Sequence, residues 1–138
     1  MEITVHEGAE EASVRAFLDA QWKMLDPAPW TGAHCVIKAE RDGTLIGIAT
    51  CSIDAGVAHL SELMVAPAER NNGLGARLLA AFEEWGAAHG AHKMTLHTRH
   101  DGPALPFYER HSWHVAYVME NHYLRQDYAL MVKEAERP

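Results

Sequence analysis

The chain has 138 residues, a length for one domain, and its 48% apolar and 22% charged residues are the balance of a globular chain rather than a disordered one. With 12 Lys and Arg against 19 Asp and Glu, the net charge is −7, which argues against a phosphate-tracking nucleic-acid binder with its basic face. Apolar runs such as Leu63-Met64-Val65-Ala66 are only a few residues long, against the ~20 that a membrane-spanning helix needs.

In chain order, Ile3 to Glu7 is expected to form a short strand. Residues 10 to 25 place Val14, Phe17, Leu18, Trp22 and Leu25 at helical spacing, and Asp26-Pro27 stops that helix. Pro27, Pro29 and Gly32 mark a loop that holds Trp30. Cys35 to Ala39 and Leu45 to Ser52 read as strands around Asp42-Gly43, a tight-turn signal. A second turn at Asp54-Ala55-Gly56 leads into a strand from Ala58 to Ala66, ended by Pro67.

From Gly73 to His89, Leu74, Leu78, Phe82 and Trp85 mark one face of an amphipathic helix that Gly90 closes. Lys93 to Thr98 is the next strand, and Pro103 opens a short helix carrying Phe107 and Tyr108. Val115 to Glu120 and Tyr128 to Lys133 alternate as half-buried strands and should pair as a final hairpin. Strand, helix and strand over 58–98 make a β-α-β unit, so those two strands should run parallel. The expected fold is a single α/β domain over 1–138, a mixed and mostly antiparallel sheet around that central parallel unit.

The turn before the 73–89 helix reads Arg70-Asn71-Asn72-Gly73-Leu74-Gly75. Glycines let backbone approach a ligand, and the unpaired N–H groups at a helix start sit at the positive end of its dipole. Such a junction suits a pyrophosphate, with Arg70 adding a forked contact. No Gly-Lys-Ser/Thr follows and Gly-x-Gly-x-x-Gly is absent, so it is neither a Walker loop nor a dinucleotide fingerprint. Two glycines alone would equally suit a plain loop-to-helix junction.

Leu63-Met64-Val65-Ala66-Pro67, followed by Arg70-x-x-Gly73-x-Gly75 and Leu78-Leu79, resembles the acetyl-CoA motif of the GNAT superfamily of N-acetyltransferases. Ala104 to Trp113, with Tyr108-Glu109-Arg110-His111-Ser112-Trp113, resembles that family's second signature. The chain departs from the family pattern in two places. Asp101 stands where an asparagine is usual, and a carboxylate beside phosphates is unfavourable, so Asp101 is expected to cap the short helix or point away. Ser112-Trp113 replaces Gly-Phe, and a left-handed Ser112 would cost about 1 kcal/mol relative to glycine.

The resemblance implies transfer of an acetyl group from acetyl-CoA to an amine by direct attack. It implies a cofactor cradle of Arg70, Asn71, Asn72, Gly73, Leu74, Gly75 and Ala76. It also implies a backbone N–H within Leu63 to Val65 that binds the thioester oxygen, with Met64 the expected donor. Tyr108 matches the family's general acid, though its spacing alone would suit a core ring. Glu62 matches a catalytic or water-holding glutamate. A carboxylate is too weak a base to strip an alkylammonium directly, so burial or a relaying water is needed, and His59, His97 and Glu120 are the other candidates. The acceptor site is implied at the end of the first helix, where Trp22, Asp26 and Trp30 would suit a cationic amine. The most direct reading is an acetyltransferase for a small-molecule amine. Acetylation of a protein or peptide amine and a non-catalytic acyl-CoA-binding module are the alternatives.

The remaining signals are expected to be structural. His89/His92 and His97/His100 have metal-like spacing but no completing ligands, so no metal is expected. Cys35 and Cys51 are too few for a disulfide framework and read as core thiols of a reducing compartment. Met1 to Val5 carries neither a basic nor an apolar targeting run, which fits a cytoplasmic protein with no membrane or nucleic-acid partner and a homodimer as its possible assembly. Protonating all ten histidines would turn the net charge from −7 to +3.

Overall fold

Two tight turns with both central residues in the left-handed region set up the first three strands. Asp42 and Gly43 (φ 51° and 78°) join β1 (Gly32–Arg41) to β2 (Thr44–Asp54), and Ala55 and Gly56 (φ 48° and 82°) join β2 to β3 (Val57–Val65). Both pairs are antiparallel, as that turn geometry dictates for short hairpins. The computed structural model describes residues 1–25 and 32–135.

The chain divides into two compact units, Met1–Trp30 and Thr31–Pro138. The first contains helix α1 (Ala12–Leu25), where Arg15 pairs with Asp19 one turn on at 2.9 Å and with Glu10 at 3.6 Å. The strand expected at Ile3 to Glu7 does not form. A strand needs a hydrogen-bonding neighbour, and the described residues of this unit supply only a helix.

The second unit holds one six-stranded sheet in the order β1-β2-β3-β4-β6-β5. After β3 the chain runs through α2 (Leu74–Ala88) into β4 (Lys93–Arg99), then α3 (Ala104–Arg110), β5 (His114–Met119) and β6 (Tyr128–Glu134). β3 and β4 are parallel and the other pairs antiparallel, the mixed α/β architecture expected. Pro103 stands at the start of α3, and β5 pairs with β6 as anticipated.

Cross-strand partners share a face of the sheet, and successive residues alternate between faces. Ala49, Cys51, Ala58, Leu60, Met94, Leu96, Ala129 and Met131 therefore point one way, and they form the core with Leu79 and Phe82 of α2. Truncating the fully buried Phe82 to alanine should cost about 3–5 kcal/mol. Lys133 of β6 ties this core to both helices, pairing with Glu83 of α2 and donating to the His111 carbonyl after α3 at 3.0 Å.

Candidate active site

β3 and β4 pair only from Val57 with Lys93 to Leu60 with Leu96. Beyond that point β3 continues beside β2 and β4 beside β6, so a notch opens at the C-terminal ends of the two parallel strands. Such a crevice is where open α/β sheets bind ligands. The divergence coincides with an irregularity in β3: Thr50 pairs with Glu62 and Cys51 with Leu60, so Ser61 is an extra, bulged residue. The bulge shifts the alternation, turning the side chains of Leu63 and Val65 toward α2 and those of Glu62 and Met64 to the opposite face.

The same phase decides which amides face the notch. The Ala66 N–H donates to the Ile46 carbonyl of β2 at 2.8 Å. By alternation the Met64 N–H also belongs to the β2 ladder, whereas the Leu63 and Val65 groups face the notch. The Met64 N–H, expected from the sequence to meet the thioester, is thus turned into the β2 ladder, and the amides that face the notch are those of Leu63 and Val65. The Val65 carbonyl accepts from Arg70 Nε at 3.1 Å, which folds the Arg70 side chain back onto β3.

The loop into α2 uses two left-handed residues, Asn71 (φ 63°) and Gly73 (φ 80°). Gly73 is the N-cap and offers no side chain to the first amides of the helix, and its carbonyl accepts the Arg77 N–H at 3.1 Å. The amides of Leu74, Gly75 and Ala76 are therefore left for an anion. A Cβ on Gly73 would meet nothing within 4 Å, so the backbone there is open. One on Gly75 would lie 3.6 Å from Phe107 Cζ and 3.9 Å from Val65 Cγ2, inside the throat between α2 and α3. Glu69, a carboxylate beside the loop, is neutralised by Arg41 through two hydrogen bonds of 3.3 and 3.1 Å.

Leu63, Met64, Val65, Arg70, Asn71, Gly73, Leu74, Gly75, Ala76 and Tyr108 all line one cavity of about 530 Å³. Asn72 instead faces a neighbouring hollow with Lys38 and Arg77. Glu62 is exposed on the other face of the sheet and accepts from the Thr50 hydroxyl at 3.4 Å. Trp22 lies in α1 of the first unit, and Asp26 and Trp30 lie outside the described residues.

Tyr108 is only 8% exposed and packs edge-on against Phe107 (5.2 Å) and Trp113 (6.2 Å). Burial pushes its hydroxyl up to about 12, so at neutral pH it is a proton donor. The turn after α3 is closed by Ser112 in the left-handed conformation (φ 69°). The Trp113 N–H then returns to the Tyr108 carbonyl at 3.1 Å, and the Trp113 ring fills the core against Phe82. Asp101 does not cap α3, whose N-cap Pro103 receives no side-chain bond. It pairs with Arg99 at 3.3 Å and stands outside the cavity lining.

Sequence reasoning missed Ala104, Phe107, Arg110 and His111, which line the cavity from α3. Their spacing of three, three and one places them with Tyr108 on one side of the short helix that Pro103 was expected to open, a signal that the sequence reading did not use.

The sequence model of the Acetyltransferase (GNAT) family matches residues 4–113. Mycothiol acetyltransferase of Stackebrandtia nassauensis is 35% identical over 83 residues, 59% of this chain but only 27% of that enzyme, so the match spans about a quarter of the relative. Among solved structures, an acetyltransferase from Agrobacterium tumefaciens superposes with a TM-score of 0.77 at 20% identity, covering 97% of this chain and 99% of that one. An aminoglycoside 6′-N-acetyltransferase complexed with coenzyme A superposes with a TM-score of 0.68 at 16% identity, covering 93% and 94%.

Proposed function

Since the chain belongs to the GNAT acetyltransferase family, we propose that it is one acetyltransferase domain that moves the acetyl group of acetyl-CoA to the primary amine of a small molecule by direct attack. The observation that carries this reading is the continuous cavity from the uncapped start of α2 to Tyr108 at the notch. It offers one end for phosphate charge and the other for chemistry.

Acetyl-CoA supplies a thioester whose carbonyl carbon is open to an amine. Arg70 to Ala76 would hold its phosphates through backbone amides. An amide of Leu63 or Val65 would stabilise the oxyanion, a fixed donor aimed at developing charge. Tyr108 would protonate the departing sulfur. Glu62, on the far face of the same notch, would hold the incoming ammonium and pass its proton to water. A cytoplasmic location belongs to the same reading, for two cysteines are too few for the disulfide framework of a small secreted domain.

The test is thiol release from acetyl-CoA across polyamines, amino acids, aminoglycosides and peptides, with a no-amine control for the protein's own thiols. Turnover of small amines supports the proposal, and turnover confined to peptides would move it to a protein acceptor. Binding of acetyl-CoA with no turnover of any amine would leave an acyl-CoA-binding module.

A further inference from the structure

On the face of the sheet opposite α2, the notch is bordered by rings that the cavity does not use. His97 is the first residue of β4 beyond its last pair with β3, and alternation puts it on that face. His59 of β3 lies on the same face. Its Nδ1 and the Thr95 hydroxyl share a hydrogen bond of 2.8 Å, and its ring stands edge-on to His97 with centroids 5.3 Å apart. On the other flank, Tyr123 lies 6.2 Å from His97 and packs on His122 at 4.3 Å and Tyr128 at 5.0 Å.

The segment that brings these rings together is held in a costly conformation. Asn121, Leu124 and Arg125 all have positive φ (48°, 51° and 61°), and the Asn121 N–H donates to the Asp127 carboxylate at 2.9 Å. Such a backbone persists only where its surroundings over-determine it.

Crowding of this kind favours uncharged imidazoles. Burial lowers the His59 pKa, with the charge of His97 acting in the same direction, and burial followed by the charge of His122 lowers that of His97. The other groups beside His97 on this face are Arg99 on its own strand and Leu130 and Tyr128 of β6, while Glu62 of β3 lies on the same face beyond the last β3–β4 pair. Arg99 is engaged by Asp101 and by Gln126 (3.1 Å). His97 thus presents a neutral ring nitrogen at the point where the strands part.

We infer that His97 is the first acceptor of the amine's proton, with His59 positioning its ring, on the opposite side of the sheet from Tyr108. The inference rests on the acetyltransferase reading above. The bound ammonium first gives one proton to the free ring nitrogen of His97, which passes it to water; the lone pair so freed forms the C–N bond to the thioester carbonyl carbon, and the nitrogen's second proton leaves to water as the amide forms. The C–S bond breaks with its electron pair on sulfur, which takes the Tyr108 hydroxyl proton, and solvent restores the tyrosine. Glu62 then keeps only the holding of the ammonium, whose proton reaches water through His97 rather than through the carboxylate.

The experiment compares the full chain with His97→Gln and His97→Ala on any amine that the wild type accepts. Acetyl-CoA affinity by calorimetry should stay within about twofold, because His97 lies outside the cofactor cavity. A positioned general base contributes roughly 10²–10⁴, so kcat/KM at pH 7 should fall about a hundredfold and recover toward pH 9. Added imidazole should restore part of the His97→Ala loss, which a structural role would not allow. His59→Gln should lower kcat while leaving acetyl-CoA affinity unchanged. As a readout apart from turnover, the His97 C2–H resonance should titrate below an ordinary imidazole and move upward in His122→Gln. Profiles parallel to wild type, absence of rescue, or a His97 that titrates at or above the ordinary value would each overturn the inference while leaving the transferase standing. Acetyl-CoA binding with no turnover of any amine would instead sink the transferase reading, and this inference with it.

Discussion

Replacing Tyr108 by phenylalanine removes one oxygen and leaves a ring that can still meet Phe107 at 5.2 Å and Trp113 at 6.2 Å. Two consequences follow, and they can be measured apart. The first is chemical. A thiolate is a tolerable leaving group unaided, so kcat should fall toward the low end of general-acid effects, about ten- to a hundredfold, or about 1.4–2.8 kcal/mol of barrier. Acetyl-CoA affinity should be unchanged within about twofold. The second is a linkage effect. The hydroxyl ionises near 10 as an ordinary tyrosine and at about 12 in the folded protein. Folding therefore favours the protonated form. That contribution is complete below pH 10 and is lost as pH rises through 12, a difference of roughly 3 kcal/mol. Denaturant melts between pH 8 and pH 12 should show wild type losing about that much more stability than Tyr108→Phe. Parallel pH dependence in the two proteins would refute the buried hydroxyl, and equal kcat would remove Tyr108 from the chemistry.

Gly73→Glu should weaken acetyl-CoA binding at least a hundredfold by calorimetry, because its side chain enters open space and sets a carboxylate against the amides of α2. Gly73→Ala, which carries the same backbone strain without the charge, should fold less stably and still bind. Ser112→Gly should relieve the left-handed strain at φ 69° and stabilise the protein by about 1 kcal/mol, a rise of about 3 °C in Tm by calorimetric scanning. Glu62→Gln should lower kcat/KM near pH 7 and recover part of the loss by pH 9, where solvent supplies neutral amine; a pH–rate profile parallel to wild type would reduce Glu62 to a partner of Thr50.

What the sequence made legible was governed by local rules. Asp42-Gly43 announced a hairpin because few other pairs accept two left-handed residues in succession, and the structure puts both there. Leu74, Leu78, Phe82 and Trp85 announced α2 because a helix repeats its face every turn, and Leu78 and Phe82 are indeed among its buried residues. The uncapped start of α2 was legible for the same reason, since its geometry is a property of one turn. Ile3 to Glu7 failed because a strand exists only with a neighbour, and no local pattern shows whether one is present.

The direction of the Met64 amide is more instructive. Which amides face the notch depends on the phase of β3, and the Ser61 bulge resets that phase after Leu60. The reset was written in the apolar spacing, for Ala58 and Leu60 are two apart, Leu63 follows at three, and Val65 at two. A strand that breaks its own period between buried positions is reporting a bulge, and a bulge at the end of a parallel pair is where the sheet can open. No such trace exists for His59, His97 and Tyr123. They lie 38 and 26 residues apart along the chain and meet only because β4 takes β3 on one side and β6 on the other. Part of the cavity lining was therefore readable as a motif. The two histidines were readable only as separate candidates for the base, and their meeting beside Tyr123 where the parallel strands part is a consequence of strand order.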